Sequence, residues 1–284
     1  MRGGGRDMQT KASIKKEFLA YFRTKKLIII ALVFIGWSML SPLLIWGTGA
    51  LMTSLTPVYD EMGMDVSGIT DMIGSSASTG VASSVSDLTG ACLIVLLLLI
   101  NSYAGGEQKK RSIMIPRSSG LRSFGYIFPK FVVYPASALV LAIVASFASW
   151  GISALLFTFN DVSFAGVLVG GVLVGVSLMF YTCAHLALGT ATGQAGMSSA
   201  ICIVASILLP NIFALTSTEY MYNPFTLNIV AGSIVREGSL SLVPTADIIM
   251  TVLITLGIMV ILYFVALFAQ NARRIDNTGN EIRL

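Results

Sequence analysis

The sequence predicts an all-α membrane protein with six transmembrane helices. Of its 284 residues 55% are hydrophobic and only 11% are charged, and the mean hydropathy is +0.82. Soluble globular chains carry about 25% charged residues, so this composition excludes a soluble domain. The apolar residues also fall into six runs close to or above the roughly 20 residues that a helix needs to cross a bilayer.

Each apolar run is interpreted as one span, and the polar or Gly-rich segments between the runs are interpreted as loops. The six spans are placed at residues 27–46, 85–104, 131–157, 164–188, 198–215 and 246–269. They divide the chain into a leader at 1–26, a six-span domain at 27–269 and a tail at 270–284. A hairpin at 158–163 joins the third and fourth spans, with Asn160 and Asp161 at its tip. Because the number of spans is even, both termini lie on the same face.

The positive charges identify which face is cytoplasmic. With this topology 17 of the 18 Lys and Arg residues fall on the face of the two termini, and Arg236 is the exception. Nine of the fourteen Asp and Glu residues fall on the other face. Cytoplasmic loops are enriched in Lys and Arg, so both termini and the loop 105–130 are predicted to be cytoplasmic. The net charge of +4 is therefore a topology signal, and nucleic acid is not an expected partner.

Two long segments are predicted on the outer face, at residues 47–84 and 216–245. Ser, Gly and Thr dominate the first, which is interpreted as a loop. The second contains Asn223-Pro224-Phe225, followed by an apolar stretch at 225–235 that is too short to span. We predict that this stretch forms a short re-entrant or interfacial helix before span six.

Two segments predicted to be cytoplasmic have features that the membrane topology alone does not require. Residues 13–26 are predicted to form an amphipathic interfacial helix, because Ile14, Phe18 and Phe22 recur at helical spacing among lysines. Such a helix lies in the headgroup layer, where anionic lipid attracts its lysines, so membrane lipid is an expected partner. The loop 105–130 is long, basic and partly apolar, which is typical of a docking surface.

The interior of the six runs offers little polar chemistry. Asp, Glu, Lys and Arg occur there only at the ends of the runs, which disfavours an ion-coupled carrier. His185 has no partner carboxylate in the runs and is interpreted as an interface-facing or helix-packing residue. Gly166, Gly170, Gly171 and Gly175 form two overlapping Gly-x-x-x-Gly pairs, which we assign to packing within the chain. The three cysteines lie in apolar runs without metal-ligand spacing and are expected to be reduced thiols.

Several short motifs occur in order along the chain. The segment from Ile14 to Arg23 leads into span one, and Gly106-Glu107 precedes a basic pair, Arg122 and Lys130-Phe131. Asn223-Pro224-Phe225 stands before span six, in the long outer segment that follows span five. In these motifs and in its six-span order the chain resembles the membrane subunits of ABC-2-type ATP-binding-cassette exporters. That family usually has Gly-Thr at Arg111-Ser112 and Pro near Gly120, and this chain departs from both.

The resemblance implies a coupling helix within the loop 105–130, seated in a groove of a cytoplasmic ATPase subunit and braced by the N-terminal helix. The coupling residues that it implies are Glu17, Arg23, Glu107, Lys109, Lys110, Arg111, Arg117 and Arg122. It also implies a second permease chain, identical or different, and a substrate path lined mainly by spans one, two and five. We expect Phe34, Trp37, Asn101 and Asn211 along that path, in the cell membrane of a bacterium.

These expectations give one leading function and two alternatives. The chain has no G-x-x-x-x-G-K-[ST] phosphate loop, so it is not expected to be an enzyme or to hold a cofactor, and ATP and Mg are expected in the partner subunit. The leading hypothesis is an exporter permease, because of the order of the elements and the absence of charged residues inside the spans. The aromatic residues and Met of span one suggest an amphipathic cargo such as a peptide, lipid or drug. The alternatives are an ion-coupled secondary transporter and an ATPase-coupled sensor or assembly factor that moves nothing.

Overall fold

The computed structural model describes residues 4–62, 76–106, 123–157, 162–215, 222–238, 244–275 and 281–283. Within these residues the protein is an all-α membrane protein, and six of its helices are long and apolar enough to cross a bilayer. A helix satisfies its own backbone hydrogen-bonding groups, which is why an apolar run of this length becomes helical in lipid. The six helices are numbered span one to span six below.

Five of the spans are single helices. They are Lys26–Glu61, Ser123–Leu156, Phe164–Thr192, Ala195–Leu215 and Thr245–Ala272, which are spans one, three, four, five and six. Span two is composite: α-helix Ala77–Asp87, a π-helical turn Leu88–Cys92, α-helix Leu93–Ile100 and a second π-helical turn Ser102–Gly106.

Three further elements accompany the spans. An N-terminal helix, Gly4–Arg23, precedes span one, and a short helix, Leu227–Glu237, follows a 3₁₀ turn at Pro224–Thr226. In the tail Arg273–Ile275 pairs antiparallel with Glu281–Arg283. We refer to the face where the N-terminal helix lies, span two ends and span three begins as the basic face, because the predicted topology assigns 17 of the 18 Lys and Arg residues to it.

The prediction of an outer loop over residues 47–84 is wrong at both ends of that range. Span one continues to Glu61, and span two begins at Ala77, where the Ser76 side chain accepts a hydrogen bond from the Thr79 backbone N–H at 3.2 Å. Small polar residues are compatible with these helices because their hydroxyls donate to carbonyls of the preceding turn. Such bonds of 2.7–3.0 Å are made by Thr48, Thr53, Ser54 and Thr56. Residues 63–75 lie outside the described residues.

The predicted coupling loop 105–130 is also shorter than expected. Span three begins at Ser123, so residues 123–130 form its first two turns. The Phe124 and Phe128 rings stack 5.2 Å apart, and both contact the Tyr263 ring of span six, at 6.4 and 6.2 Å. This packing holds the start of the helix against the bundle. Residues 107–122 lie outside the described part of the chain.

The remaining boundaries differ from prediction by a few residues. Span four begins at Phe164 as predicted and extends to Thr192, where Gly193 ends it with a left-handed φ of 71°. The N-terminal helix is a separate element that ends at Arg23, rather than one running to Lys26. Lys25 adopts a φ of 58°, and the Thr24 hydroxyl donates to the Ala20 carbonyl at 2.8 Å. These two residues form an elbow between the N-terminal helix and span one.

The short helix Leu227–Glu237 confirms the predicted element before span six, and its position is re-entrant. Phe225, just before it, contacts the rings of Phe180 at 5.4 Å and Phe213 at 6.0 Å. Phe180 lies sixteen residues along span four, or about 24 Å from its first residue, Phe164, at 1.5 Å per residue. The chain therefore enters the bundle to this depth, and the helix leads back out.

Span four lies at the centre of the bundle, and its glycines allow two neighbours to approach it. A Cβ added at Gly170 would lie 3.3 Å from the Ala231 carbonyl oxygen of the re-entrant helix. A Cβ added at Gly175 would lie 3.2 Å from the Leu139 Cα of span three. Gly166 likewise meets the re-entrant helix and Gly171 meets span three. Both Gly-x-x-x-Gly pairs therefore pack within the chain, as the sequence predicts.

We expect Gly170→Leu to destabilise the protein by about 1–3 kcal/mol, the usual cost of overpacking a tight contact. The matched control is Gly257→Leu, because Gly257 of span six has nothing within 4 Å of an added Cβ. Thermal midpoints of the two purified variants in detergent provide the measurement. Equal midpoints would contradict the packing described for span four.

Candidate functional site: a tyrosine–lysine junction

Three tyrosines from different elements meet near the basic face. Tyr21 belongs to the N-terminal helix, Tyr103 to the second π-helical turn of span two and Tyr134 to span three. The Tyr103 and Tyr134 rings stack with centroids 4.7 Å apart, and the Tyr21 ring meets both edge-on, at 6.3 and 5.0 Å. Such aromatic pairs each contribute about 0.5–1.5 kcal/mol beyond the area that they bury. The three rings thereby tie the N-terminal helix to spans two and three.

Two lysines complete this cluster. Lys26 Nζ lies 4.4 Å from the Tyr103 ring centroid and also donates to the Ser102 hydroxyl. Lys130, only 2% exposed, donates to the Tyr103 carbonyl oxygen at 3.1 Å and to the Tyr126 hydroxyl at 2.9 Å. Its Nζ also lies 4.2 Å from the Tyr126 ring centroid. Oxygen acceptors and ring faces offset the cost of burying the ammonium group. We refer to Tyr21, Tyr103, Tyr134, Lys26 and Lys130 as the tyrosine–lysine junction.

A carboxylate links the N-terminal helix to this junction. The Tyr134 hydroxyl donates to Glu17 Oε2 at 2.9 Å, and hydrogen bonds to a charged group are stronger than neutral ones. Thr24 of the elbow lies 3.3 Å from the Tyr103 hydroxyl. Burial raises the pKa of the Tyr21 hydroxyl well above its usual value, so this side chain is neutral at physiological pH. The junction therefore carries its charge on the two lysines and on Glu17.

The local sequence of span three explains how it contributes its side chains to the junction. Tyr126, Lys130 and Tyr134 are spaced four residues apart, which places them on one face of a helix. On span two Tyr103 lies in a π-helical turn, and such turns widen the helix and change the direction of the side chains within it. Each element thus directs its tyrosine into the same space.

Beside the junction, span two touches the connection between spans four and five. A Cβ added at Gly105 would lie 2.6 Å from the Gly189 carbonyl oxygen and 3.5 Å from the Ala195 nitrogen. A Cβ added at Gly189 would in turn collide with the Ala104 carbonyl. The backbones are therefore in direct contact, and glycine is required on both sides. We refer to this place as the three-span contact.

The predicted coupling residues fall into three groups. Glu17 is bonded to the junction through Tyr134, whereas Arg23 is exposed at the end of the N-terminal helix. The six others lie outside the described residues: Glu107, Lys109, Lys110, Arg111, Arg117 and Arg122. The segment that contains them leaves the described chain after Gly106 and returns at Ser123. Its first residue therefore lies four positions after Tyr103, and its last lies eight positions before Lys130.

Sequence reasoning did not assemble the tyrosine–lysine junction. In the sequence Lys26 and Lys130 contribute to the positive charge that predicts the topology, and Tyr103 lies within an apolar run. One signal was present in the four-residue spacing of Tyr126, Lys130 and Tyr134, because a lysine between tyrosines on one helical face favours a cation–π arrangement. The partners on other elements are 27 to 117 positions away, and no local pattern identifies them.

The four predicted path residues are dispersed. Phe34 is fully buried in the core, whereas Trp37 is 41% exposed on span one. Asn211 is exposed on span five and donates to the Ile207 carbonyl of its own helix at 2.6 Å. Asn101 is half-buried near the end of span two. No hydrogen bond or ring contact in the described chain joins these four side chains, and their assignment to a path stays a prediction.

The other residues singled out in the sequence have packing environments. His185 is fully buried on span four and contacts Ser198 of span five, with Nδ1 and Oγ 2.9 Å apart. The three cysteines are buried free thiols. Across the described ranges, no three His, Cys, Asp or Glu residues are grouped so that they could hold a metal ion.

Comparison with protein-family models and with curated proteins finds no match to this chain. Inferences about function therefore start from the geometry of the junction, the topology of the spans and the order of the sequence motifs.

We expect Lys130→Met to destabilise the protein by about 1–3 kcal/mol, because it leaves buried oxygen acceptors without their donor. The methionine keeps the apolar stem, so the loss reports the ammonium group. Lys15→Met on the exposed surface of the N-terminal helix is the matched control. The measurement is the thermal midpoint of each purified variant, and a Lys130→Met midpoint at or above that of the control would contradict the role assigned to Lys130.

Proposed function

We propose that this chain is the membrane-spanning permease subunit of an ATP-binding-cassette exporter of the ABC-2 type. It moves an amphipathic peptide, lipid or drug across the cell membrane of a bacterium, using ATP hydrolysis by a separate nucleotide-binding subunit. The observation that carries the proposal is the attachment of residues 107–122. Both ends of this basic segment lead directly into the tyrosine–lysine junction, which ties together the N-terminal helix and spans one, two and three.

This attachment provides a route for mechanical coupling. The ATPase subunit holds residues 107–122, and its closure on ATP displaces them. Since Tyr103 and Lys130 are bonded to each other close to the two ends, the displacement moves spans two and three together. Glu17 transmits the same movement to the N-terminal helix through Tyr134. Stacked rings and a buried lysine resist shear better than flexible loops do, so the movement reaches the spans as a rotation of packed helices.

The exposed apolar faces of spans one and five are consistent with a second permease chain in the complex. In the most apolar 18-residue stretch of each helix, only 28% of span one and 22% of span five are buried, against 67% of span four. Two of the expected path residues, Trp37 and Asn211, lie exposed on these two spans. A path between two copies of the permease would be bordered by such faces. Lipid covers the parts that the second chain leaves free.

The first test measures coupling to the ATPase. The complex is isolated from native membranes in mild detergent, and its ATP hydrolysis is measured with the chain as wild type, Glu107→Ala or Arg122→Ala. We expect each variant to lower the rate about fivefold or more, the lower end of ordinary coupling between distant sites. Arg236→Ala, an exposed change on the opposite face, is the control and should leave the rate unchanged.

Other outcomes of transport and ATPase measurements would identify one of the two alternative functions. If the purified chain moves cargo uphill without any nucleotide-binding subunit, or if transport survives ATP depletion and collapses with a protonophore, the chain is a secondary transporter. If the complex hydrolyses ATP at a rate that cargo does not change and vesicles accumulate nothing, the chain is a sensor or an assembly factor.

The second test concerns sidedness, because the proposal requires both termini and residues 107–122 in the cytoplasm. We expect a membrane-impermeant maleimide to label a Ser239→Cys variant in intact cells. The same reagent should label a Ser112→Cys variant only after lysis. The three native cysteines are buried, so the wild-type chain is the unlabelled control. Labelling of the Ser112→Cys variant from outside would refute the proposed orientation.

A further inference from the structure

Asp87 lies deep within span two. The sequence places it at the end of that span, but the helix begins at Ala77, ten residues earlier. Oδ2 of its carboxylate accepts a hydrogen bond from the Ser41 hydroxyl of span one at 2.8 Å, which fixes its level in the bundle. Ser41 lies fifteen residues beyond Lys26, where span one begins at the basic face. The bond is therefore about 22 Å from that end of the helix at 1.5 Å per residue.

The re-entrant helix gives the depth of Asp87 from the opposite end. A Cβ added at Gly232 would lie 2.6 Å from Oγ of Ser86, the residue before Asp87. Six residues later a Cβ added at Gly238 would lie 3.7 Å from Cβ of Ser163, which caps the start of span four. Asp87 is therefore about 9 Å from the start of span four along the helix axis. Both measures place the carboxylate between the ends of the spans, within a hydrocarbon core about 30 Å thick.

The carboxylate of Asp87 is exposed on an apolar surface. Over residues 76–105 of span two, the exposed side chains are Asp87 and Leu98. The second oxygen of the carboxylate, Oδ1, has no hydrogen bond or ion pair in the described part of the chain. Within one turn of Ser41 on span one, the exposed side chains are all apolar: Trp37, Leu40, Leu43 and Leu44.

A carboxylate at this depth needs a positive partner. Ionisable groups inside a membrane are costly, and they pair with one another or mark the path of a substrate or ion. The described Lys and Arg residues lie near the basic face, with the exception of Arg236. Arg236 is one turn beyond Gly232, which places it nearer the start of span four and farther from Asp87. A second copy of the chain would repeat this distribution, so the described residues do not provide the cation.

We propose that Asp87 binds the positively charged group of an amphipathic cargo, and that the exposed apolar side chains of span one contact the rest of that molecule. The Ser41 hydroxyl orients the carboxylate by holding Oδ2, which leaves Oδ1 for the cation. Charge attraction is strong where water is excluded, and the ring of Trp37 adds a face that favours cations. The inference rests on the proposed function, because it names the chemical class of the exported molecule: a lipophilic cation.

Binding to the full-length chain tests this inference without transport or ATP hydrolysis. The chain is purified and reconstituted in nanodiscs of zwitterionic phospholipid, and the probe is radiolabelled tetraphenylphosphonium, a lipophilic cation. We expect saturable binding that unlabelled tetraphenylphosphonium displaces and that triphenylphosphine oxide, an uncharged analogue, does not. Absence of saturable binding, or equal displacement by the uncharged analogue, would overturn the proposal.

Variants of Asp87 test whether its charge is responsible. Asp87→Asn keeps the size of the side chain and removes the charge, and we expect it to weaken binding about tenfold or more. Asp87→Glu keeps the charge and should bind more tightly than Asp87→Asn. Asp247→Asn is the matched control, because Asp247 lies in the first turn of span six and accepts from the Tyr222 hydroxyl. This control should bind like the wild type.

A folded Asp87→Asn variant whose affinity stays within about twofold of the wild type would also overturn the proposal, since charge pairing is worth more than that. If this variant does not fold, the displacement measured on the wild type decides. The outcomes also separate the inference from the proposed function. Loss of the inference leaves the permease intact if Glu107→Ala and Arg122→Ala still lower ATP hydrolysis. Binding at Asp87 together with transport that survives ATP depletion would keep the site and assign it to a secondary transporter.

Discussion

Close backbone contact along span four is the constraint on which the arrangement of this bundle depends. Lipid is as apolar as a leucine side chain, so burial of apolar surface does not drive helices together in a membrane, and close van der Waals packing must do so. Five glycines of span four lie where neighbours approach it closely: Gly166 and Gly170 meet the re-entrant helix, Gly171 and Gly175 meet span three, and Gly189 meets span two. Spans that do not contact it in this way have largely exposed apolar faces.

Near the basic face the helices are held together by a second kind of contact. There the helices are joined by rings, ammonium groups and a carboxylate instead of small residues. Lys130 shows why these bonds suit that position, because its stem is held in the helix bundle and its charge is matched by the Tyr103 carbonyl and the Tyr126 hydroxyl. One end of the bundle thus depends on directional bonds, whereas the middle depends on the close fit of helix surfaces.

The sequence predicted the helices well where one physical rule decides, and poorly where several compete. Six spans and the re-entrant helix were predictable because the length of an apolar run fixes whether a helix can cross a bilayer. The extension of span one through residues 47–61 was not, because Ser and Thr occur both in loops and in helices whose carbonyls bind their hydroxyls.

The candidate site was predictable only in part, for a different reason. The family resemblance predicts that Glu17 couples to a cytoplasmic partner, which stays a prediction, and the structure shows it bonded within the chain to Tyr134. Its partner Tyr134 is 117 positions away, and such pairs are set by tertiary packing. The π-helical turn that directs Tyr103 has no distinctive residues in Ser102–Gly106 apart from its two glycines.

The elbow at Thr24 and Lys25 gives the N-terminal helix an axis of its own. Without it, one uninterrupted helix would extend from Gly4 to Glu61, a rod about 87 Å long that projects far beyond the bilayer. The left-handed backbone at Lys25 instead folds the first twenty helical residues back across the ends of spans two and three. The elbow therefore turns what would be a projecting rod into a helix that lies across the ends of two spans and is fixed to them by Tyr21.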